Sequence, residues 1–248
     1  MQNDLILNNL KKLTELNDFT YNDLPEYFKR KFNKTTMRII VLSDQTTMDI
    51  RKEIFNRINT TGRPAKPSEI RRGSYAGPFM DFLKECTKNP TFIKVCPVSE
   101  TSKKRYEDLE LVLRFFAFLN NYKNFIHRVD EFLDQYVEDN QNNFDAEVFR
   151  SEFERMVTFV DKYFPNGFRK TKNAKSTPRV RFEAISVGVA LALRINPNLE
   201  PKSMDWLESD EFKVHTTTHA SNSPARVAGR IEYVRDMLLA GDSNASDI

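Results

Sequence analysis

Residues 54–79, IFNRINTTGRPAKPSEIRRGSYAGPF, constrain the fold more than any other stretch, because they encode a helix, a stop and a second helix start in direct succession. Ile50, Ile54, Phe55 and Ile58 recur at helical spacing, which predicts a helix over Thr47–Asn59. Asn59, Thr60, Thr61 and Gly62 end it, and Gly62 suits the left-handed position past a helix end. Pro64 and Pro67 forbid continuation, while Pro67 fits a first helical position, where a missing N–H removes no hydrogen bond. Glu69 would be third in the new helix and can reach back to the orphan N–H at its start, as half of a capping box. The corner is crowded with cations: Arg57, Arg63, Lys66, Arg71 and Arg72.

Helical patterns dominate the rest of the chain. Helices are predicted over Asp23–Lys31, Ser68–Thr87, Tyr106–Lys123 and Arg179–Ile195. The third is apolar almost all round, with stripes of Val112, Leu113, Phe116 and Leu119 and of Leu111, Phe115, Phe118 and Tyr122, so it should be central. The fourth resembles it and carries Ala184, Gly188 and Ala192, small residues that permit close helix approach. A last helix, marked by Val227, Ile231, Val234 and Leu238, starts at Ser223 and Pro224 and stops at Gly241. One strand is predicted, Thr35–Ser43 (TTMRIIVLS), rich in β-branched residues. Its one nearby candidate partner, Leu5–Leu10, is short and broken by asparagines. A lone strand leaves its backbone groups unpaired, so it either edges a small ribbon under helices or needs a sheet from another chain or segment. The expected class is therefore mainly α, a multi-helix domain with a small, incomplete β element near the N-terminus.

With 40% apolar residues and 20 phenylalanines, 248 residues can bury a real core as one large domain or two small ones. Boundaries are expected at 1–45, 46–241 and a polar, frayed tail at 242–248. No uncharged apolar run reaches ~18 residues and no signal-peptide pattern opens the chain, which points to a cytoplasmic protein without a membrane partner. Cys86 and Cys96 have no zinc-like spacing and read as two reduced, structural thiols. His215 and His219 (HTTTH) stand four apart, but the intervening threonines are poor helix formers and a metalloprotease glutamate is missing, so surface or loop histidines are expected. The seven glycines form no phosphate loop.

Net charge is only +3, yet charge is segregated. Residues 130–154 hold nine acids against one base, Arg150. Among them Asp145, Glu147, Glu152 and Glu154 lack a paired His or metal-spaced partner, so a solvated or partner-facing helix surface is expected rather than acid–base chemistry. Residues 165–181 hold six bases, Arg169, Lys170, Lys172, Lys175, Arg179 and Arg181, and no acid. Lys103, Lys104 and Arg105 form another basic cluster, with Arg63, Lys66 and Arg72 a third. Such loops either stay solvated or contact nucleic-acid phosphates without reading bases. Arg57 and Arg71, with Glu53 and Glu69 nearby, are expected to form ion pairs. Ser221, Asn222 and Ser223 are cap material for the last helix, or with Arg226 and Arg230 a phosphate site at its N-terminus.

The order Phe55, Arg57, Ile58, Asn59, Thr60, Gly62, then Glu69, Ile70, Arg71 and Tyr75, resembles the Arg-Ile-Asn-Thr-Gly and Glu-Ile-Arg signature of GmrSD-type restriction endonuclease N-terminal domains, whose fold is ParB-like. Leu109–Phe118 (LELVLRFFAF) is similar to a second segment of that family. The resemblance spans about residues 20–240 and is firm at 50–120. It makes Arg57, Asn59, Gly62, Glu69 and Arg71 family-motif residues and residues 1–45 a remnant of the α/β half. Two departures matter. Ala65 and Lys66 stand where the family has Leu-Asn, removing a side-chain cap. The Asp-Gly-Gln-Gln-Arg motif associated with nucleotide hydrolysis is absent, as is any His-Asn-His nuclease segment. No catalytic or metal residue is therefore assigned. The resemblance implies a phage-defence or DNA-processing role, with DNA and a protein carrying the missing half as partners. A nucleoside triphosphate enters as cofactor only if such a partner supplies the motif. The alternative is a non-enzymatic helical interaction module or a truncated-gene remnant.

Overall fold

The computed structural model describes residues 5–36, 39, 41, 46–47, 50, 53–54, 66–126, 128–217 and 222–241. Among them there are eleven α-helices and no strand, so the protein is mainly α. Most of Thr35–Ser43 and of the helix expected over Thr47–Asn59 lies outside the described residues, as do Arg57, Asn59, Gly62, Arg63, Ser221 and the tail at 242–248. The chain divides into two compact units, residues 1–46 and 47–248.

In the first unit, 3-10 turns at Thr14–Leu16 and Tyr21–Asp23 precede α1 (Glu26–Lys34). Leu5–Leu10, expected as a strand partner, is instead tied into a loop. Leu7 N donates to Phe19 O at 2.9 Å, Asp18 N to Leu7 O at 2.7 Å and Leu10 N to Asn17 Oδ1 at 2.8 Å. Asn9 (φ 56°) and Asp18 (φ 66°) take left-handed conformations, which turn the chain out of any ladder.

The second unit contains α2 (Pro67–Ser74), α3 (Pro78–Thr87), α4 (Pro90–Val95), α5 (Glu100–Lys103), α6 (Glu107–Asn121), α7 (Val129–Asn140), α8 (Ala146–Tyr163), α9 (Arg179–Ile195), α10 (Asp210–His215) and α11 (Pro224–Ala240). Proline opens α2, α3, α4 and α11. Glu69 Oε2 accepts from Lys66 N at 2.7 Å, the expected half of a capping box; the Lys66 side chain offers no acceptor to complete it. The single helix expected over Ser68–Thr87 is two, because Gly77 (φ 153°) and Pro78 break the ladder and restart it.

Helices α6 and α9 form the centre. Every residue from Leu109 to Leu119 is buried, and α9 is enclosed by α6, α8 and α11. At the crossing with α11, a Cβ on Gly188 would lie 2.6 Å from Val234 Cβ, so only glycine allows that approach. Phenylalanines fill the space between helices; Phe116 stacks on Phe149 with centroids 5.0 Å apart, and Phe115 meets Phe153 edge-on at 5.8 Å. Cys86 and Cys96 are free and buried, and burial pushes both thiols up to about 12.

Candidate functional site: a buried ion ladder beneath a charged cleft

Five helices contribute charge to one buried chain of ion pairs. Arg71 on α2 donates from Nη1 to Glu110 Oε2 at 2.6 Å and from Nε to Asp134 Oδ1 at 2.6 Å. Its Nη2 reaches the carbonyl of Asp130 at 3.3 Å. Glu110 and Arg114 stand four apart on α6, hence on one face, and are joined at 3.3 Å. Arg114 Nη1 donates to Glu183 Oε1 on α9 at 2.6 Å, and the other oxygen of Glu183 accepts from Arg230 Nη2 on α11. Arg71, Glu110, Arg114, Glu183 and Arg230 are all at most 6% exposed. Alternation of sign along the ladder is what makes it tolerable, since each buried charge meets an opposite one within hydrogen-bond reach.

Above the ladder lies a cleft of about 610 Å³. Lys66, Arg114, Arg128 and Arg179 line it with Asn222, facing the carboxylates of Glu110, Asp130 and Glu131. Arg128 pairs with Glu131 at 2.5 Å and Arg179 grips Glu107 with two N–H groups, one at 2.6 Å. Burial alone would raise the Glu107 pKa, but the Arg179 hydrogen bond and charge, with Arg114 and Lys66 further off, hold it below the ordinary carboxylate value.

The cleft brings together Lys66, Arg179 and Asn222, three phosphate candidates from distant parts of the sequence. Arg72 lies nearer the 103–105 cluster, its guanidinium 3.6 Å from the Tyr106 ring centre. Lys103 pairs with Glu100 at 3.3 Å, while Lys104 is exposed and Arg105 half-buried. In the 165–181 run, Arg169 folds the loop by donating to Asn166 O at 3.2 Å and Lys172 O at 2.8 Å, and Lys170, Lys172 and Lys175 remain exposed. Arg226 is exposed, and Ser223 Oγ caps α11 by accepting from its N–H at 3.4 Å.

Several expectations need correction. Arg181 and Arg230, placed among phosphate candidates, are buried: Arg181 lies 4.9 Å from the Phe212 ring centre, and Arg230 is bonded to Glu183. Arg71 forms the expected ion pairs with Glu110, Asp130 and Asp134 instead of Glu69, which is engaged at the cap of its own helix. The acidic window is not one solvated surface, because Asp134 turns to Arg71, Glu138 accepts from the Tyr75 hydroxyl at 2.5 Å and Glu152 pairs with Arg194 at 2.5 Å. His215 stacks on Tyr233 with centroids 4.7 Å apart, and His219 lies outside the described residues. Sequence reasoning missed Glu110, Arg114 and Glu183 as individual residues. Their signal was a charged residue inside an otherwise apolar helix, which demands a buried partner.

Among the described residues no cluster of His, Cys, Asp or Glu could hold a metal ion, and no helix is long and apolar enough to cross a membrane. No protein-family model, curated protein or solved structure matches the chain.

Proposed function

We propose that the chain is the helical part of a GmrSD-like, ParB-related DNA-processing protein, which holds nucleic-acid phosphates or completes a nucleotide-hydrolysing partner rather than catalysing alone. The observation that carries this reading is spatial. Arg71 of the Glu-Ile-Arg segment and Glu110 and Arg114 of the LELVLRFFAF segment, far apart in sequence, are hydrogen-bonded into one ladder at the base of a cleft lined by four cations and three carboxylates. The Glu-Ile-Arg and LELVLRFFAF segments, both part of the family resemblance, are joined through these side chains, which supports the reading. Exposed Lys170, Lys172 and Lys175, without an ion pair among the described residues, add a surface suited to backbone phosphates.

Duplex DNA titrated with the full chain should bind with an affinity that falls steeply from about 50 to 200 mM salt, as phosphate contacts release counterions. Binding that is absent, or indifferent to salt, would remove the reading. A nucleoside triphosphate should be hydrolysed only when a separately expressed protein bearing the Asp-Gly-Gln-Gln-Arg segment is added.

The second reading, a non-enzymatic interaction module, is favoured by one feature of the first unit. A cavity of about 370 Å³ there is lined by apolar Leu5, Leu7, Leu13, Leu16, Phe28 and Phe32 among others, with Leu5 76% exposed. A stoichiometric complex that forms without DNA, and is lost on Leu5→Asp with Phe32→Asp, would favour it over the first.

A further inference from the structure

Four helices begin at the wall of the cleft: α2 at Pro67, α7 at Val129, α9 at Arg179 and α11 just past Asn222. A helix N-terminus carries unbonded N–H groups and about half a positive charge, so acids are favoured in its first turn. Two of the four follow that rule, α2 with Glu69 and α7 with Asp130 and Glu131. The others do not. Neither α9 nor α11 has an acid in its first turn; Arg179 opens α9 and Arg226 lies in the first turn of α11. The residue capping α9 is Pro178, whose side chain accepts nothing.

A second observation comes from the floor. Arg114, 6% exposed, lines the cleft; its Nε and Nη1 are bonded to Glu110 and Glu183. Its Nη2 makes no hydrogen bond among the described residues. At the rim, Lys66 has no ion pair among the described residues. The carboxylates that line the cleft are already engaged, Glu110 with Arg71 and Arg114, Asp130 with Arg71, and Glu131 with Arg128. What remains is positive: an Arg114 N–H without a hydrogen bond, a Lys66 ammonium in no ion pair, and the N-terminus of α9, which has neither a side-chain cap nor an acid in its first turn.

We infer that this cleft takes a phosphate group, borne by a nucleotide or by a nucleic-acid backbone, with Arg114 Nη2, Lys66 and Arg179 as its contacts. The inference deepens the proposed function and rests on it for the carrier of the phosphate. A phosphate presents only acceptor oxygens and negative charge, which suits Arg114 Nη2 and Lys66, and Arg179 adds its charge at the rim while its Nε and Nη2 hold Glu107. The volume leaves room for an attached nucleoside or strand.

The test is calorimetric titration of the full chain with inorganic pyrophosphate, followed by competition with a nucleoside triphosphate and with a short DNA duplex. Pyrophosphate should bind, and Lys66→Glu should weaken it about tenfold or more while leaving thermal unfolding unchanged. Arg114→Lys keeps charge toward Glu110 and Glu183 but withdraws the Nη2 donor, and should weaken binding as well; Lys66→Glu, at an exposed position, keeps the test decisive if Arg114→Lys fails to fold. Displacement by the triphosphate alone assigns the site to a nucleotide, and displacement by the duplex assigns it to a backbone. No pyrophosphate binding at millimolar concentration, or binding indifferent to Lys66→Glu, overturns the inference. Pyrophosphate bound without DNA or partner-dependent hydrolysis would remove the proposed function and leave the site. DNA bound without pyrophosphate would do the reverse.

Discussion

The arginines of the ion ladder and the lysines of the 165–178 loop are both cations in stretches that look fit for ligand binding, yet the fold treats them oppositely. Arg71, Arg114 and Arg230 are buried and hydrogen-bonded to carboxylates, whereas Lys170, Lys172 and Lys175 stand in solvent. The run 165–181 sorts itself the same way: Arg169 bonds to backbone carbonyls, Arg179 to Glu107, and Arg181 packs over Phe212. A guanidinium is weakly hydrated and offers a planar fork, so it can bridge several acceptors inside a protein, while an ammonium keeps its water. Residue type therefore says more than charge count about which cations remain for a partner.

The sharpest way to break the comparison is Glu183→Gln. The amide keeps the shape but removes the buried charge to which both Arg114 and Arg230 are hydrogen-bonded. Breaking a buried ion pair costs roughly 3–5 kcal/mol, and a fall of that size should appear as a lower denaturation midpoint in urea. A loss below about 1 kcal/mol would place the ladder in the class of surface pairs.

Gly188→Ala asks whether the ladder or packing sets the distance between α9 and α11. The new methyl would meet Val234 Cβ at 2.6 Å and Ile231 O at 2.9 Å, so one helix must shift although alanine favours helix. Overpacking of this kind costs about 1–3 kcal/mol, again read from urea denaturation. If the variant is as stable as the native chain, packing does not hold the helices at that spacing.

How far this contrast was legible in the sequence depends on what each residue needed. Helices α6, α9 and α11 follow from local periodicity and punctuation, and their observed limits fall close to the expected ones. Gly188 was recognisable as a small residue on an apolar helix. The break at Gly77 and Pro78 was also written locally, and a continuous apolar pattern masked it. The ladder was not legible, because Arg71 finds Glu110 across 39 residues and Arg230 finds Glu183 across 47, and no local rule pairs them. The same holds for the cleft, whose Lys66, Arg128, Arg179 and Asn222 meet only through tertiary packing. Arg181 misled because a basic neighbourhood in sequence says nothing about which face of α9 it occupies.

Between the two extremes stands the pair of Glu107, 18% exposed, and Arg179, 39% exposed. The folded-state pKa of Glu107 lies below its ordinary value of 4.5, so the pair's contribution is present above that pH and is lost as pH falls through the lowered pKa. Solvent screening of the half-exposed arginine limits the contribution to below about 1 kcal/mol. Other carboxylates titrate in the same range, so the measurement is a difference: native chain against Glu107→Gln, unfolded at about pH 6 and again at about pH 3. The stability gap should narrow at the lower pH, and a gap that widens would reverse the assigned direction.

The smallest effect on stability should come from the loop. Replacing Lys170, Lys172 and Lys175 with alanine removes three exposed charges that make no ion pair among the described residues, so the unfolding free energy should move by less than about 0.5 kcal/mol. Binding is the sensitive readout. If each lysine meets one phosphate, the slope of log affinity against log salt should become shallower by about three, with little change in sequence preference. Pyrophosphate affinity should stay unchanged, because none of the three lines the cleft. A triple variant that loses stability but keeps the native salt slope would mean that these lysines serve the fold and the buried arginines do not monopolise that role.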